Sequence, residues 1–224
     1  MPKRITSKLE YHFLNPKYLL FLLSMVLLII VPPLANISES ATILFDVIYF
    51  IVIFLGSLYT SINVRNLIIL IVLGSLTYLT HIFPEVSSHF KLLNAIFTIG
   101  FFLTVFINLI NFVLYERIID ANGIYAAISG YLVLGMASSP LFYIIEGYYP
   151  GAFTITEGYT LYDFLYYSYI TLTTVGFGDI LPVHPFAKAL TIIVSIFGQL
   201  YLTILIAIII GKYMFYLSNK QHEE

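Results

Sequence analysis

Six long apolar runs, each closed by a polar break, organise this chain. They cover about Tyr18–Ala35, Thr42–Ile62, Leu67–Phe83, Leu92–Tyr115, Gly123–Ile145 and Phe186–Tyr216. Each approaches the ~20 apolar residues that a helix needs to cross a hydrocarbon core of about 30 Å. The third is the shortest and is weakened by Gly74, Ser75 and Thr77. The pattern changes between the fifth and sixth runs. A tyrosine-rich polar stretch leads there into a short amphipathic run and then into Thr173-Thr174-Val175-Gly176-Phe177-Gly178-Asp179. Thr160 with Asp163 three residues on reads as a capping-box start, which predicts a short helix over Leu161–Leu172.

Composition places these runs in a membrane. Of 224 residues, 60% are hydrophobic and 10% charged, with a mean hydropathy of +0.95. Soluble domains carry about 25% charge. The expected class is therefore an all-α membrane protein with six transmembrane helices. Cysteine is absent, so disulfides and thiolate metal sites are excluded. Tryptophan is absent too, which leaves interfacial anchoring to the 19 tyrosines. The net charge of −2 gives no electrostatic footprint for nucleic acid. No clustered Ser, His and Asp suggests an enzyme. No small-residue cleavage site follows the first run, which reads as a retained helix rather than a signal peptide.

The distribution of charge orients the chain. With a cytoplasmic N-terminus, Lys3, Arg4, Lys8, Lys17, Arg65, Arg117, Lys212 and Lys220 lie inside, and only Lys91 and Lys188 outside. Six crossings also return the C-terminus to the cytoplasm. The outer face then carries Glu39, Glu85, Glu146, Glu157, Asp163 and Asp179. All but Asp179 read as solvated carboxylates, and together they favour cations near the entrance.

The 173–179 segment carries the chemistry. Inside hydrocarbon, irregular backbone survives only where it is buried in protein or lines a wet path. A dehydrated ion needs a ring of oxygens, and backbone carbonyls supply one without trapping it by net charge. Aiming successive carbonyls one way requires alternating backbone hands, and Gly176 and Gly178 reach positive φ without a Cβ penalty.

This heptapeptide resembles the selectivity filter of potassium channels, the TVGYG/TVGFG family, with Phe177 in the aromatic slot. The resemblance covers about the last hundred residues and is similar to prokaryotic channels built on one pore module per chain. It implies a pore domain over 121–216 (outer helix, pore helix, filter, inner helix); the apolar runs before it are expected to form a four-helix membrane domain of unknown role over 18–120, and the charge distribution places the ends at 1–17 and 217–224 in the cytoplasm. The resemblance implies that Thr174, Val175, Gly176, Phe177 and Gly178 form the filter, with K+ held by the first four as permeant ligand and no other cofactor. One filter strand supplies a quarter of each ring, so a homotetramer in the lipid bilayer of the cell membrane is expected.

The resemblance also assigns supporting residues. Tyr166 and Tyr167 match an aromatic pair behind the filter. Ile170 stands where some members place a buried acid facing Asp179, and Phe177 lacks a tyrosine hydroxyl. Each missing hydrogen bond is worth roughly 0.5–1.5 kcal/mol, so a looser filter is expected. Gly198 matches the family's glycine hinge, although close helix packing explains it equally well. Gln199, Leu202, Ile206, Ile210 and Met214 recur at helical spacing and are expected to line the cavity, with the constriction at Ile210 or Met214. Leu181 at the outer mouth predicts weak external tetraethylammonium block.

No basic residue lies between Lys91 and Arg117, so the fourth run lacks the arginine ladder of a voltage sensor. Asn108 and Asn111 on that run are expected to bond between helices. His184 is expected to face outside solvent, and His81 and His89 form no pair with metal-ligand spacing. Passive potassium-selective conduction is the main reading. A weakly selective cation channel, a potassium transporter subunit and a membrane sensor are the alternatives. The transporter subunits carry repeated, degenerate filters, whereas this chain has one intact copy.

Overall fold

The computed structural model describes residues 17–31, 39–82, 88–116, 121–155 and 159–222, and every regular element among them is a helix. In chain order these are α1 Lys17–Ile30, α2 Glu39–Thr60, α3 Val64–Ile82, α4 Ser88–Tyr115, α5 Ala121–Tyr148, α6 Leu161–Leu172 and α7 Pro185–His222. Glu85, Glu157, Lys3, Arg4, Lys8 and Arg117 lie outside the described residues.

Local chemistry sets several boundaries. α1 stops at Ile30, short of the Pro32-Pro33 pair, because a residue before proline is pushed out of the helical region. The rest of the expected first run lies outside the described residues. Asn63 starts α3 by accepting the Asn66 N–H on its side-chain oxygen at 2.9 Å, an N-cap bond to the third helical residue. α7 continues six residues past the expected end at Tyr216 to His222. Hydropathy marks where a helix leaves apolar surroundings, whereas its backbone bonding runs on through polar residues.

Among the described residues, four segments are long and apolar enough to cross a bilayer: Val64–His81, Phe90–Tyr115, Ala121–Tyr148 and Pro185–Lys212. The apolar parts of α1 (Lys17–Ile30) and α2 (Leu44–Thr60) are shorter.

α5 is the central element, in contact with α1, α4, α6 and α7. One core joins the first five helices through Phe21, Met25, Val52, Leu70, Phe101, Val105, Leu109 and Val133, all fully buried or nearly so. Packing between membrane helices gains little from the hydrophobic effect and rests on close contact and hydrogen bonds. Two such bonds stand out. Asn108 donates from Nδ2 to Asn66 Oδ1 across α4 and α3 at 2.8 Å. Tyr201 on α7 donates to the Ala127 carbonyl of α5 at 2.6 Å. A second core backs α6 with Phe142, Phe153, Phe164, Tyr167, Ile170 and Leu172.

α7 is the exception to this burial, with only 11% of its apolar span buried within the protomer. A long apolar helix so open on several sides fits a face covered by lipid or by further protein.

Candidate functional site

The 173–179 loop is presented by α6. That helix spans the interval predicted from the sequence, and the Asp163 carboxylate accepts both the Thr160 N–H at 2.6 Å and the Thr160 hydroxyl at 2.8 Å. An acid in the first turn also complements the positive end of the helix dipole. At the other end, Ser168 donates to the Gly135 carbonyl at 2.7 Å and Tyr169 to the Leu132 carbonyl at 2.7 Å. Tyr131 of α5 donates back to the Leu172 carbonyl at 3.1 Å. Gly135 lets the Tyr169 ring lie against the α5 backbone, because a Cβ there would overlap the ring.

The aromatic layer behind α6 is edge-to-face throughout. Phe142 and Tyr167 meet at 4.9 Å and 78°, Phe153 and Phe164 at 5.3 Å and 71°, and Phe153 and Tyr167 at 5.2 Å and 69°. Such pairs each add ~0.5–1.5 kcal/mol beyond area burial. Tyr167 is buried, and its hydroxyl shares a 2.8 Å hydrogen bond with Thr191 of α7.

The loop backbone alternates in hand. Thr174 has φ 60°, Gly176 φ 53° and Gly178 φ 80°, whereas Val175 and Phe177 between them stay at negative φ. Glycine accounts for two of these positions. Thr174 is β-branched and adopts φ > 0 at a cost, the kind of strain that collects at functional sites. Sequence reading attributed the alternation to the glycines and missed Thr174, whose side chain carries no sign of it. The loop is anchored where Gly176 N–H donates to the Ile170 carbonyl at 3.1 Å. Val175 and Phe177 are 53% and 72% exposed in the protomer.

Asp179 has a partner that the sequence did not suggest. Ile170 is buried in the second core, and Tyr166 donates its hydroxyl to Asp179 Oδ2 at 2.6 Å. That bond holds the Asp179 carboxyl below its ordinary value of 3.8. Ile170 makes no polar contact with Asp179, as its apolar side chain requires, and the Tyr166 phenol supplies a hydrogen bond to that carboxylate instead.

Glu146 needs a correction. It is buried, 3% exposed, rather than solvated. Its Oε1 accepts the Gly151 N–H at 2.7 Å and its Oε2 the Phe153 N–H at 2.9 Å. The turn it braces pairs with the segment after the loop: Thr154 N–H donates to the Leu181 carbonyl at 2.9 Å, and Leu181 N–H to the Thr154 hydroxyl at 2.8 Å. Leu181 is half exposed. His184 is stacked on Tyr149, with ring centroids 4.3 Å apart, and is not simply solvent-facing.

α7 closes the arrangement. A Cβ on Gly198 would fall on the Leu172 carbonyl oxygen, so the glycine lets α7 pack against the end of α6. This gives close packing the stronger case of the two roles left open by the sequence. Gln199 donates from Nε2 to the Thr174 hydroxyl at 3.3 Å, placing it beside the start of the loop. Leu202, Ile206, Ile210 and Met214 follow on the same face, 36%, 54%, 56% and 60% exposed. Further along, Lys212 donates from Nζ to the carbonyls of Val113, at 2.6 Å, Leu114, at 2.8 Å, and Glu116 at the end of α4. Among the described residues no cluster of His, Cys, Asp and Glu has the makings of a metal site.

This set of elements, from within α5 through α6 and the loop to α7, coincides with a similarity to known proteins. Residues 130–215 match the family model described as Ion channel. No curated protein and no solved structure matches the chain. Residues 130–215 are thus similar to an ion channel domain, and the long apolar helices fit an all-helical membrane protein.

Proposed function

We propose that four copies of this chain assemble around the 173–179 loops into a potassium-selective pore that conducts passively. The carrying observation is the strict alternation of positive φ at Thr174, Gly176 and Gly178 within TTVGFGD. Alternation turns successive carbonyls to one side, where four strands complete rings of oxygens that replace an ion's hydration shell. Thr174, Val175, Gly176 and Phe177 hold the ions. The negative C-terminal end of α6 faces the space below them and favours a cation there. Gln199, Leu202, Ile206, Ile210 and Met214 line the inner cavity, and the apolar rings at Ile210 or Met214 gate by dewetting.

The outer face is the one that carries Asp179, and both termini are cytoplasmic. α4 has no basic residue between Lys91 and its end, so voltage is not sensed through a charged helix. The first four helices form a membrane domain that shares one core with α5 of the pore.

Purified protein in liposomes, assayed for potassium and sodium flux and for barium block, tests this. Potassium flux well above sodium flux, blocked by barium, is expected. Equal fluxes support the second reading, a weakly selective cation channel, which the absent hydroxyl at Phe177 favours. Absence of flux with intact tetramers overturns the proposal.

A further inference from the structure

A cavity of about 480 Å³ lies between the first five helices and α6, away from the loop. Its size falls within the range of small-ligand sites, which are typically ~300–1,000 Å³. Its deeper wall is apolar, with Leu28, Phe102, Met136 and Leu165. One buried polar atom in the lining makes no hydrogen bond of good geometry. Thr98 is 5% exposed, and its hydroxyl has no hydrogen-bond partner. Neighbouring threonines behave otherwise. Thr77, Thr80 and Thr104 each donate to the carbonyl four residues back, at 2.9, 2.8 and 2.7 Å. Tyr49 lies beside Thr98 in the same wall and makes a loose polar contact with it, short of a hydrogen bond of good geometry.

The charges at the mouth narrow the ligand class. Asp163 is committed to Thr160, and His81 is paired with Asp46 at 3.2 Å. Lys91 stands seven residues before Thr98 on α4, about 10 Å away along the helix at 1.5 Å per residue. An anion held at Thr98 would therefore be buried with its nearest uncommitted countercharge, Lys91, based two helical turns away, which is costly. A neutral oxygen has no such penalty and satisfies the idle hydroxyl.

We infer that this cavity binds a neutral amphiphile, its hydroxyl or carbonyl oxygen at Thr98 and Tyr49 and its alkyl chain against Phe102, Met136 and Leu165. The ligand would touch α6 directly through Leu165, and α6 presents the loop. Binding itself does not rest on the proposed potassium selectivity.

The test uses full-length protein in phosphatidylcholine liposomes and a diazirine analogue of 1-octanol. Photolabel should map to peptides containing Thr98, Met136 or Leu165 and be displaced by 1-octanol. Thr98→Val keeps the shape and removes the hydroxyl. It should weaken labelling by roughly two- to tenfold, the worth of one hydrogen bond, while the melting temperature without octanol is unchanged or raised. Met136→Trp should fill the cavity and abolish labelling. Label spread over α7 and indifferent to Thr98→Val would mean that the cavity holds solvent only, and would overturn the assignment. Displacement by octanoate better than by octanol, lost in Lys91→Gln, would overturn the neutral class. Flux is measured separately, so a non-conducting protein leaves the binding result readable.

Discussion

Tyr166 donates its hydroxyl to the Asp179 carboxylate at 2.6 Å, joining the middle of α6 to the far end of the loop that α6 presents. The loop is thereby held at its far end by this bond and at its middle by Gly176 N–H on the Ile170 carbonyl. Tyr166→Phe should shorten single-channel openings, and Asp179→Asn should change them in the same direction. Tyr166→Trp, which restores a donor, should recover most of the effect. Unchanged open times in Tyr166→Phe would remove this bond from the account.

The same pair predicts a pH dependence. The Tyr166 hydrogen bond lowers the Asp179 pKa, so its stabilising contribution is fully present above the ordinary value of 3.8 and is lost as pH falls through the depressed one. Open lifetime should therefore be flat between about pH 5 and 8 with respect to this pair. Its acid loss should begin at higher pH in Tyr166→Phe than in the wild type, as read from recordings at stepped external pH.

Glu146 accepts two backbone N–H groups with its two oxygens, in a site closed to solvent. Glu146→Gln leaves one oxygen and turns an NH2 toward an N–H donor. Destabilisation of about 1–3 kcal/mol is expected from a buried unsatisfied donor. Thermal unfolding of the purified oligomer measures it, and a shift of a degree or less would argue that the turn rearranges freely.

Gly198→Ala separates packing from bending. If close approach to the Leu172 carbonyl is what matters, the added methyl should destabilise by roughly 1–3 kcal/mol as overpacking and lower flux. A bending role predicts altered gating with normal stability. Melting temperature and flux on the same preparation distinguish the two.

Gln199 reaches the Thr174 hydroxyl at 3.3 Å, near the start of the loop. Gln199→Ala should weaken barium block several-fold, in line with loss of one hydrogen bond of about 0.5–1.5 kcal/mol. Block that is unaltered would place the barium site away from Thr174.

The sequence by itself determined the class, the short helix over Leu161–Leu172 and the loop at 173–179. Those rest on local rules: apolar length, a Thr–Asp capping pair, and glycines spaced for alternating backbone. The loop's third positive φ, at Thr174, was not legible, because it is imposed by α6 and the chain on either side rather than by the threonine. Tertiary structure alone decided the partners. Glu146 looked like a surface acid because its two acceptors serve N–H groups in a turn whose return path no spacing rule predicts. Ile170 looked like a lost contact because its substitute, Tyr166, lies on a different turn of the same helix. Gly198 was ambiguous until the Leu172 carbonyl was seen against it. In each case the sequence fixes what a side chain is able to do, and only the approach of distant backbone decides which of those things it does.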